Sequence, residues 1–192
     1  MIKQVICVNT VVKEQVNILE VKKSKFIALV KRIDSELEAK QTVEECKKRY
    51  PMAKHYVYAY IIDDLKRCSD DKEPSKTAGA PILQVLEKKE MDHIICVVVR
   101  YFGGILLGAP GLVRAYTKSA CNVLDMATKV PLILYKKVLC VFPYEFVNKM
   151  DFLLKDRTIL EKNFLDKVSY TVLLEVEDKI LTEIKGYSEV IE

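Results

Sequence analysis

The hydrophobic pattern alternates near the start of the chain and then changes period. Gln15 to Lys23 (QVNILEVKK) and Lys25 to Ile33 (KFIALVKRI) are β-rich and partly alternating, which predicts two neighbouring strands, and Val5 to Val12 reads as a further one. Ser35 with Glu38 three positions on forms a capping box, after which Ala39, Val43, Cys46 and Tyr50 recur at helical spacing until Pro51 ends the run. His55 to Ile62 (HYVYAYII) has the aromatic and β-branched content of a strand, and the polar segment Asp63 to Lys76 reads as a long loop. Pro81 suits the first turn of a helix over ILQVLEKK. Ile94 to Tyr101 is nearly all apolar and predicts a central strand covered on both faces. From Gly111, the residues Leu112, Tyr116, Ala120, Val123, Leu124 and Ala127 recur at near-helical spacing, predicting a helix that starts at the glycine-rich loop and ends near Lys129.

Pro131 breaks the chain. Beyond it the pattern predicts a strand around Leu134 to Phe142, a helix from about Tyr144 to Lys155, strands around Ile159 to Leu165 and Val168 to Val176, and a short amphipathic tail. This order predicts an α+β protein of two domains, 1–131 and 132–192. Charge follows the same division. Residues 1–132 carry 22 Lys and Arg against 16 Asp and Glu, a net +6, whereas residues 133–192 carry 9 against 11, a net −2. The basic excess allows contact with RNA or an acidic protein, and an ordinary solvated surface accounts for it equally well.

With 192 residues, half of them hydrophobic and 30% charged, the chain is long enough to bury a substantial core. The apolar run Ile94 to Val99 is far too short to span a membrane, and MIKQVICVNT lacks the apolar core of a signal peptide, so a cytoplasmic protein with no membrane partner is expected. Its six cysteines lie at least 19 residues apart with no CxxC pair. Cys7, Cys46, Cys96 and Cys140 sit among apolar residues, as thiols used as small core hydrophobes in a reducing compartment do. His55 and His93 are the only histidines and are 38 positions apart, so no metal site is predicted.

Five of the six glycines fall between Ser69 and Tyr116. Gly103, Gly104, Gly108 and Gly111 lie between the apolar strand and the next helix, where free N–H groups would face an anion with Arg100 and Arg114 as counter-charges. The other reading is that these glycines permit close helix–strand packing. The segment has neither the Lys-Ser/Thr of a P-loop nor a GxGxxG. Ahead of it, Ser69, Asp70, Asp71 and Glu73 have the composition of a divalent-cation site or an acid/base pair. As turn residues, Asp70 and Asp71 would instead accept backbone N–H bonds, with Ser75 or Thr77 capping the next helix. His55 before a strand reads as a packed or hydrogen-bonded residue rather than a base. No nucleophile–base pair is evident, so no catalytic residue and no cofactor is expected.

KSKFIA (Lys23 to Ala28 with its preceding Lys22 outside the run), AKHYVYAY (Ala53 to Tyr60), SDDKEPSKTAGAP (Ser69 to Pro81) and VVVRYFGGILLGAPGLVRAY (Val97 to Tyr116) together resemble the YigZ/IMPACT family. The resemblance covers most of residues 15–127. It implies an N-terminal domain with the left-handed βαβ fold of a small-subunit ribosomal protein and of domain IV of elongation factor G. For the remainder it implies a ferredoxin-like C-terminal domain similar to domain V of that factor. Eukaryotic relatives regulate translation by competing for a protein partner in a stress-kinase pathway. The two-domain layout resembles the bacterial type, which has no firmly assigned activity.

The family motif resembles SDDGEPSGTAG and LGTGGLVRAY, so Lys72 and Lys76 stand here for glycines, and Ala109 and Pro110 replace a threonine and a glycine. Charge is gained where bare backbone and a hydroxyl are lost. The resemblance implies a non-catalytic translation-associated factor whose partner is RNA, the ribosome or a translation protein. Its expected contact surface comprises His55, Ser69, Asp70, Asp71, Lys72, Glu73, Lys76, Thr77, Arg100, Tyr101, Gly103, Gly104, Gly108, Gly111 and Arg114. The alternative is an enzyme acting on a phosphorylated small molecule, with Asp70, Asp71 and Glu73 holding Mg²⁺ and the glycine loop taking the phosphate. The C-terminal domain has room for only about two turns in its second helix, over Asp178 to Lys185.

Overall fold

The computed structural model describes residues 8–133, 135–176 and 178–191. The chain divides into two compact units, Met1–Leu132 and Ile133–Glu192. In the first, strands β1 (Asn9–Val11), β2 (Gln15–Val21) and β3 (Ser24–Arg32) lead to helix α1 (Glu36–Arg49). Strands β4 (His55–Ile62) and β5 (Leu65–Ser69) follow, then α2 (Gly79–Lys88), β6 (Ile94–Tyr101), α3 (Gly108–Met126) and β7 (Lys129–Pro131). Five strands form one antiparallel-paired sheet in the order β2-β3-β6-β4-β5, and β1 pairs separately with β7. Because β3 and β4 both run antiparallel to β6, β3–α1–β4 is a βαβ crossover with β6 inserted between its strands.

Strand periodicity sorts the core into two layers. Even-numbered residues of β3 and β6 (Phe26, Ala28, Val30; Ile94, Cys96, Val98) and odd-numbered residues of β4 (Val57, Ala59, Ile61) pack against α2 and α3. The opposite face, with Ile27, Leu29, Ile95, Val97, Val99, Tyr60 and Ile62, packs against Ala39, Val43 and Cys46 of α1. Helix α1 starts where the capping box predicts. Ser35 Oγ accepts from Glu38 N at 3.2 Å, and Glu38 Oε2 accepts from Asp34 N at 2.9 Å. Burial pushes the Cys46 thiol up to about 11, in keeping with its use as a core hydrophobe.

Three local expectations change. Leu65–Ser69 is a strand rather than loop; its burial is slight and its LKRCS sequence polar, as suits an edge strand whose Lys and Arg discourage further pairing. Helix α3 begins at Gly108, three residues before Gly111, so Pro110 lies in its first turn, where a missing N–H costs little. Neither Ser75 nor Thr77 caps α2: Thr77 Oγ1 donates to Pro74 O at 2.6 Å, and the cap comes from Asp70. Of the expected strand Val5 to Val12, residues 9–11 are in β1, and residues 1–7, with Cys7, lie outside the described residues.

The second unit runs β8 (Tyr135–Phe142), a 3₁₀ turn at Tyr144–Phe146, α4 (Val147–Leu153), β9 (Thr158–Phe164), β10 (Val168–Glu175), α5 (Ile180–Ile184) and β11 (Glu189–Ile191). Its antiparallel sheet has the order β11-β8-β10-β9, and one face buries Val138, Cys140, Phe142, Tyr170, Val172 and Leu174 beneath Met150, Leu154 and Ile184. The short second helix expected over Asp178 to Lys185 is the five-residue α5, and the rest of the tail adds the edge strand β11. Among the described residues no helix is long and apolar enough to cross a membrane.

Candidate functional site

Arg100 interrupts the inward-facing apolar positions of β6. In the sheet register it lies between Phe26 of β3 and His55 of β4, so a ring, a guanidinium and an imidazole line up on the face covered by α2 and α3. A buried guanidinium is costly unless it is paired. The partner is Glu73: its Oε1 accepts from Arg100 Nη1 at 2.6 Å and from the Tyr116 hydroxyl of α3 at 2.8 Å. The guanidinium carbon also sits 5.5 Å from the Phe26 ring centre and 5.6 Å from that of Phe102, while Nε has no hydrogen-bond partner. Burial, and behind it the Glu73 carboxylate, push the Tyr116 phenol far above its ordinary range, so that hydroxyl remains a donor.

The turn after β5 delivers Glu73 to this place. Asp71 and Lys72 both adopt positive φ (38° and 69°), reversing the chain so that Glu73 faces inward. Asp70 fixes the far side: Oδ1 accepts from Ala78 N (3.1 Å) and Gly79 N (2.8 Å), and Oδ2 from Lys76 N (2.8 Å), which caps α2 across eight to nine residues. Asp71 Oδ2 accepts from Tyr56 N at 2.6 Å, and the Asp71 carbonyl accepts from His55 Nδ1 at 2.8 Å. That carbonyl bond assigns the proton to Nδ1 and turns Nε2 toward Glu73, 3.8 Å from Oε1.

Lys72 and Lys76 thus occupy left-handed backbone, φ 69° and 63°, at the two positions where the family motif resembles glycine. An L-residue there carries a penalty of about 1–2 kcal/mol that glycine avoids. The remaining glycines divide by role. A Cβ on Gly103 would lie 2.0 Å from the Lys23 carbonyl carbon and one on Gly79 2.7 Å from Ser69 O, so those two serve close packing. Gly104 and Gly108 instead supply positive φ, 82° and 70°.

Above the Arg100–Glu73 pair lies a cleft of about 380 Å³, lined on its polar side by Lys54, His55, Lys72, Glu73 and Arg100 and on its apolar side by Phe102, Leu106, Leu107 and Leu112, with Gly108 and Ala109 at the start of α3. Three cations face one carboxylate. Phe102 is 41% exposed and Leu106 84%, so the apolar wall is open to a partner. Of the residues expected at a contact surface, His55, Lys72, Glu73, Arg100 and Gly108 meet here. Ser69, Asp70, Thr77 and Gly103 build the framework, Lys76 and Gly104 lie outside the cleft lining, and Tyr101 is on the other face of the sheet with its hydroxyl donating to Pro51 O at 2.9 Å. Gly111 and Arg114 line a separate hollow. Lys54, Phe102, Leu106 and Tyr116 were missed as site residues. Period-two alternation from Arg100 to Phe102 was the available signal for the ring.

Asp70, Asp71 and Glu73 are committed to different donors and do not converge on a cation. Among the described residues the one group with metal-ligand spacing is Asp63, Asp92 and His93, whose ligand atoms lie within 4.8 Å of one another; Asp92 Oδ1 already accepts from Asp63 N and His93 N.

A mixed α/β protein of two units, the first with a buried Arg–Glu–Tyr centre beneath a basic cleft, is the class these observations define. Residues 22–124 match the Impact N-terminal domain. The chain is 35% identical over 163 residues to the IMPACT family member YvyE of Bacillus subtilis (strain 168), covering 82% of this chain and 75% of that one. It is 41% identical over 124 residues to the IMPACT family member YigZ of Escherichia coli (strain K12), covering 60% and 61%. A solved structure, the crystal structure of a hypothetical protein, superposes with a TM-score of 0.71 at 29% identity, covering 96% of this chain and 97% of its own. The chain belongs to the YigZ/IMPACT family.

Proposed function

We propose that this protein is a non-catalytic, translation-associated regulatory factor of the cytoplasm that holds RNA, free or within the ribosome, in the cleft above Arg100. The observation that carries the reading is the commitment of every carboxylate of the SDDKEP turn to the protein itself, while Lys54 and Lys72 remain exposed at the cleft with the Phe102 ring and the Leu106 side chain. Such a site has charge for phosphate and a ring for stacking, and its one acid–base juxtaposition, His55 beside Glu73, is tied into the framework through the Asp71 carbonyl, Arg100 and Tyr116. The five cysteines among the described residues are free thiols, which supports a reducing compartment.

The fold reading points the same way by analogy. The β3–α1–β4 crossover with β6 inserted supports the βαβ layout of the domain that the family resemblance implies, and the order β11-β8-β10-β9 on a βαββαβ chain supports the ferredoxin-like one. The test is a pull-down with the tagged full chain from cell lysate, with and without nuclease, beside Lys54→Ala/Lys72→Ala. RNA recovered with the native protein and lost with the double variant is expected. Recovery of a partner unchanged by nuclease and by the substitutions would overturn the cleft as the contact site; a nuclease-resistant partner lost with the double variant would replace RNA with a protein.

A further inference from the structure

On the other side of Leu107 from the cleft lies a second hollow of about 240 Å³, lined by Val21, Lys22, Leu107, Gly111, Arg114, Ala115 and Lys118. Its charge is of one sign. Lys22, Arg114 and Lys118 are exposed, none makes a hydrogen bond or ion pair among the described residues, and no carboxylate lines the hollow. What sets the hollow apart is that three such cations line it together with no carboxylate; elsewhere on this unit Lys31 pairs with Glu45, Lys47 with Glu44, Arg49 with Glu14, Lys66 with Glu87 and Lys89 with Asp125. The arrangement at the hollow is also unfavourable in itself. Arg114 and Lys118 stand one turn apart on α3, a repulsive spacing. Lys22 shares the β2–β3 turn with Lys23, both at positive φ (45° and 64°), where Asn-Gly is the usual choice.

The geometry points to a phosphate-binding site in this hollow, continuous across Leu107 with the cleft, so that the surface holds successive phosphodiester groups of single-stranded RNA. The inference rests on the RNA reading of the cleft and deepens it. Two concavities, one lined only by cations and the other by three cations and one carboxylate already held by Arg100, are separated by one apolar side chain that lines both and match discrete anions spaced along a chain rather than a flat charged face. Their size suits a splayed single strand, whose bases are free to stack. Phe102, beside the first concavity, offers the exposed ring. No covalent step is involved.

The experiment is a fluorescence-anisotropy titration of a labelled single-stranded RNA of about ten nucleotides against the full chain across a series of salt concentrations. The native protein is compared with Lys22→Ala/Arg114→Ala/Lys118→Ala, and the thermal unfolding of both is recorded. All three side chains are exposed, so the melting curve should hardly move. Three lost phosphate contacts should lower the magnitude of the slope of log K against log salt by about 2, and affinity at low salt by about tenfold or more. A single Lys22→Ala change, away from the helix, should lower the slope by about 0.7. An unchanged slope while RNA still binds would overturn the hollow and leave the cleft reading intact. Failure of the native protein to bind RNA at low salt would overturn both the hollow and RNA as the cleft's ligand. Equal displacement of the RNA by polyglutamate of matched charge would transfer the surface to an acidic protein.

Discussion

Each unit contains an arginine bound to a carboxylate, and the two pairs do different work. Arg100 and Glu73 are buried, their side chains 6% and 3% exposed, and they meet at one oxygen that Tyr116 also uses. Arg157 of the second unit remains 36% exposed, while Asp178 is 8% exposed, and grips it with two nitrogens, at 2.5 and 3.1 Å, beside a hollow between Tyr135, Thr158 and Glu175. The second pair fastens the start of α5, where Asp178 also accepts from Ile180 N at 3.0 Å. The first fixes a turn whose backbone is otherwise unfavourable, and with it the shape of the cleft. Burial of the arginine, not pairing, separates the roles: a guanidinium that has left water demands its partner, whereas one still in water merely benefits from it.

The largest expected effect follows. Glu73→Ala strands Arg100 in the core and should cost about 3–5 kcal/mol, read as a lower urea midpoint; a loss under about 1 kcal/mol would mean that the pair is not buried in solution. Next, Tyr116→Phe removes one donor but leaves Arg100 paired, and a loss of about 1 kcal/mol is expected in the same assay. Arg157→Ala should also cost about 1 kcal/mol, discounted by screening and shrinking as salt is raised.

That third effect has a pH signature. The hydrogen bond from Arg157 holds the Asp178 carboxyl below its ordinary value. A depressed carboxyl contributes stability that is present above its unfolded pKa and is lost as pH falls through the folded one. The difference between native protein and Arg157→Ala should therefore be full near neutrality and fade in acid below the ordinary Asp range. A difference that grew on acidification would contradict the pairing.

The same contrast explains what could be read from the chain. α1 is legible because its signals are local: Ser35, Glu38 and a stripe at Ala39, Val43 and Cys46. The central strand is legible because six consecutive apolar residues leave no solvent face. β5 is not, because an edge strand of Leu, Lys, Arg, Cys and Ser lacks the apolar alternation that marks a strand. The cleft lies between these cases. Ser69 to Tyr116 is marked by its glycines and its family motif, yet which of those residues meet depends on register. Phe26, Arg100 and His55 become neighbours only once three strands pair, and Asp70 caps a helix that begins nine positions later. Composition could not decide between carboxylates for a cation and carboxylates for the backbone; the hydrogen bonds favour the backbone for Asp70 and Asp71.

Lys72 and Lys76 bring the comparison down to a single turn, since both sit in left-handed backbone and only Lys72 lines the cleft. If the cleft is a phosphate surface, Lys72 is kept for its charge against its conformational cost. The most direct measurement is therefore paired: unfolding stability and single-stranded RNA affinity for Lys72→Gly and Lys76→Gly beside the native chain. Both changes should stabilise by about 0.5–1 kcal/mol, while Lys72→Gly weakens RNA binding several-fold and Lys76→Gly leaves it nearly unchanged. RNA affinity that ignores Lys72→Gly, or that falls equally for both variants, would contradict the cleft as the site of contact.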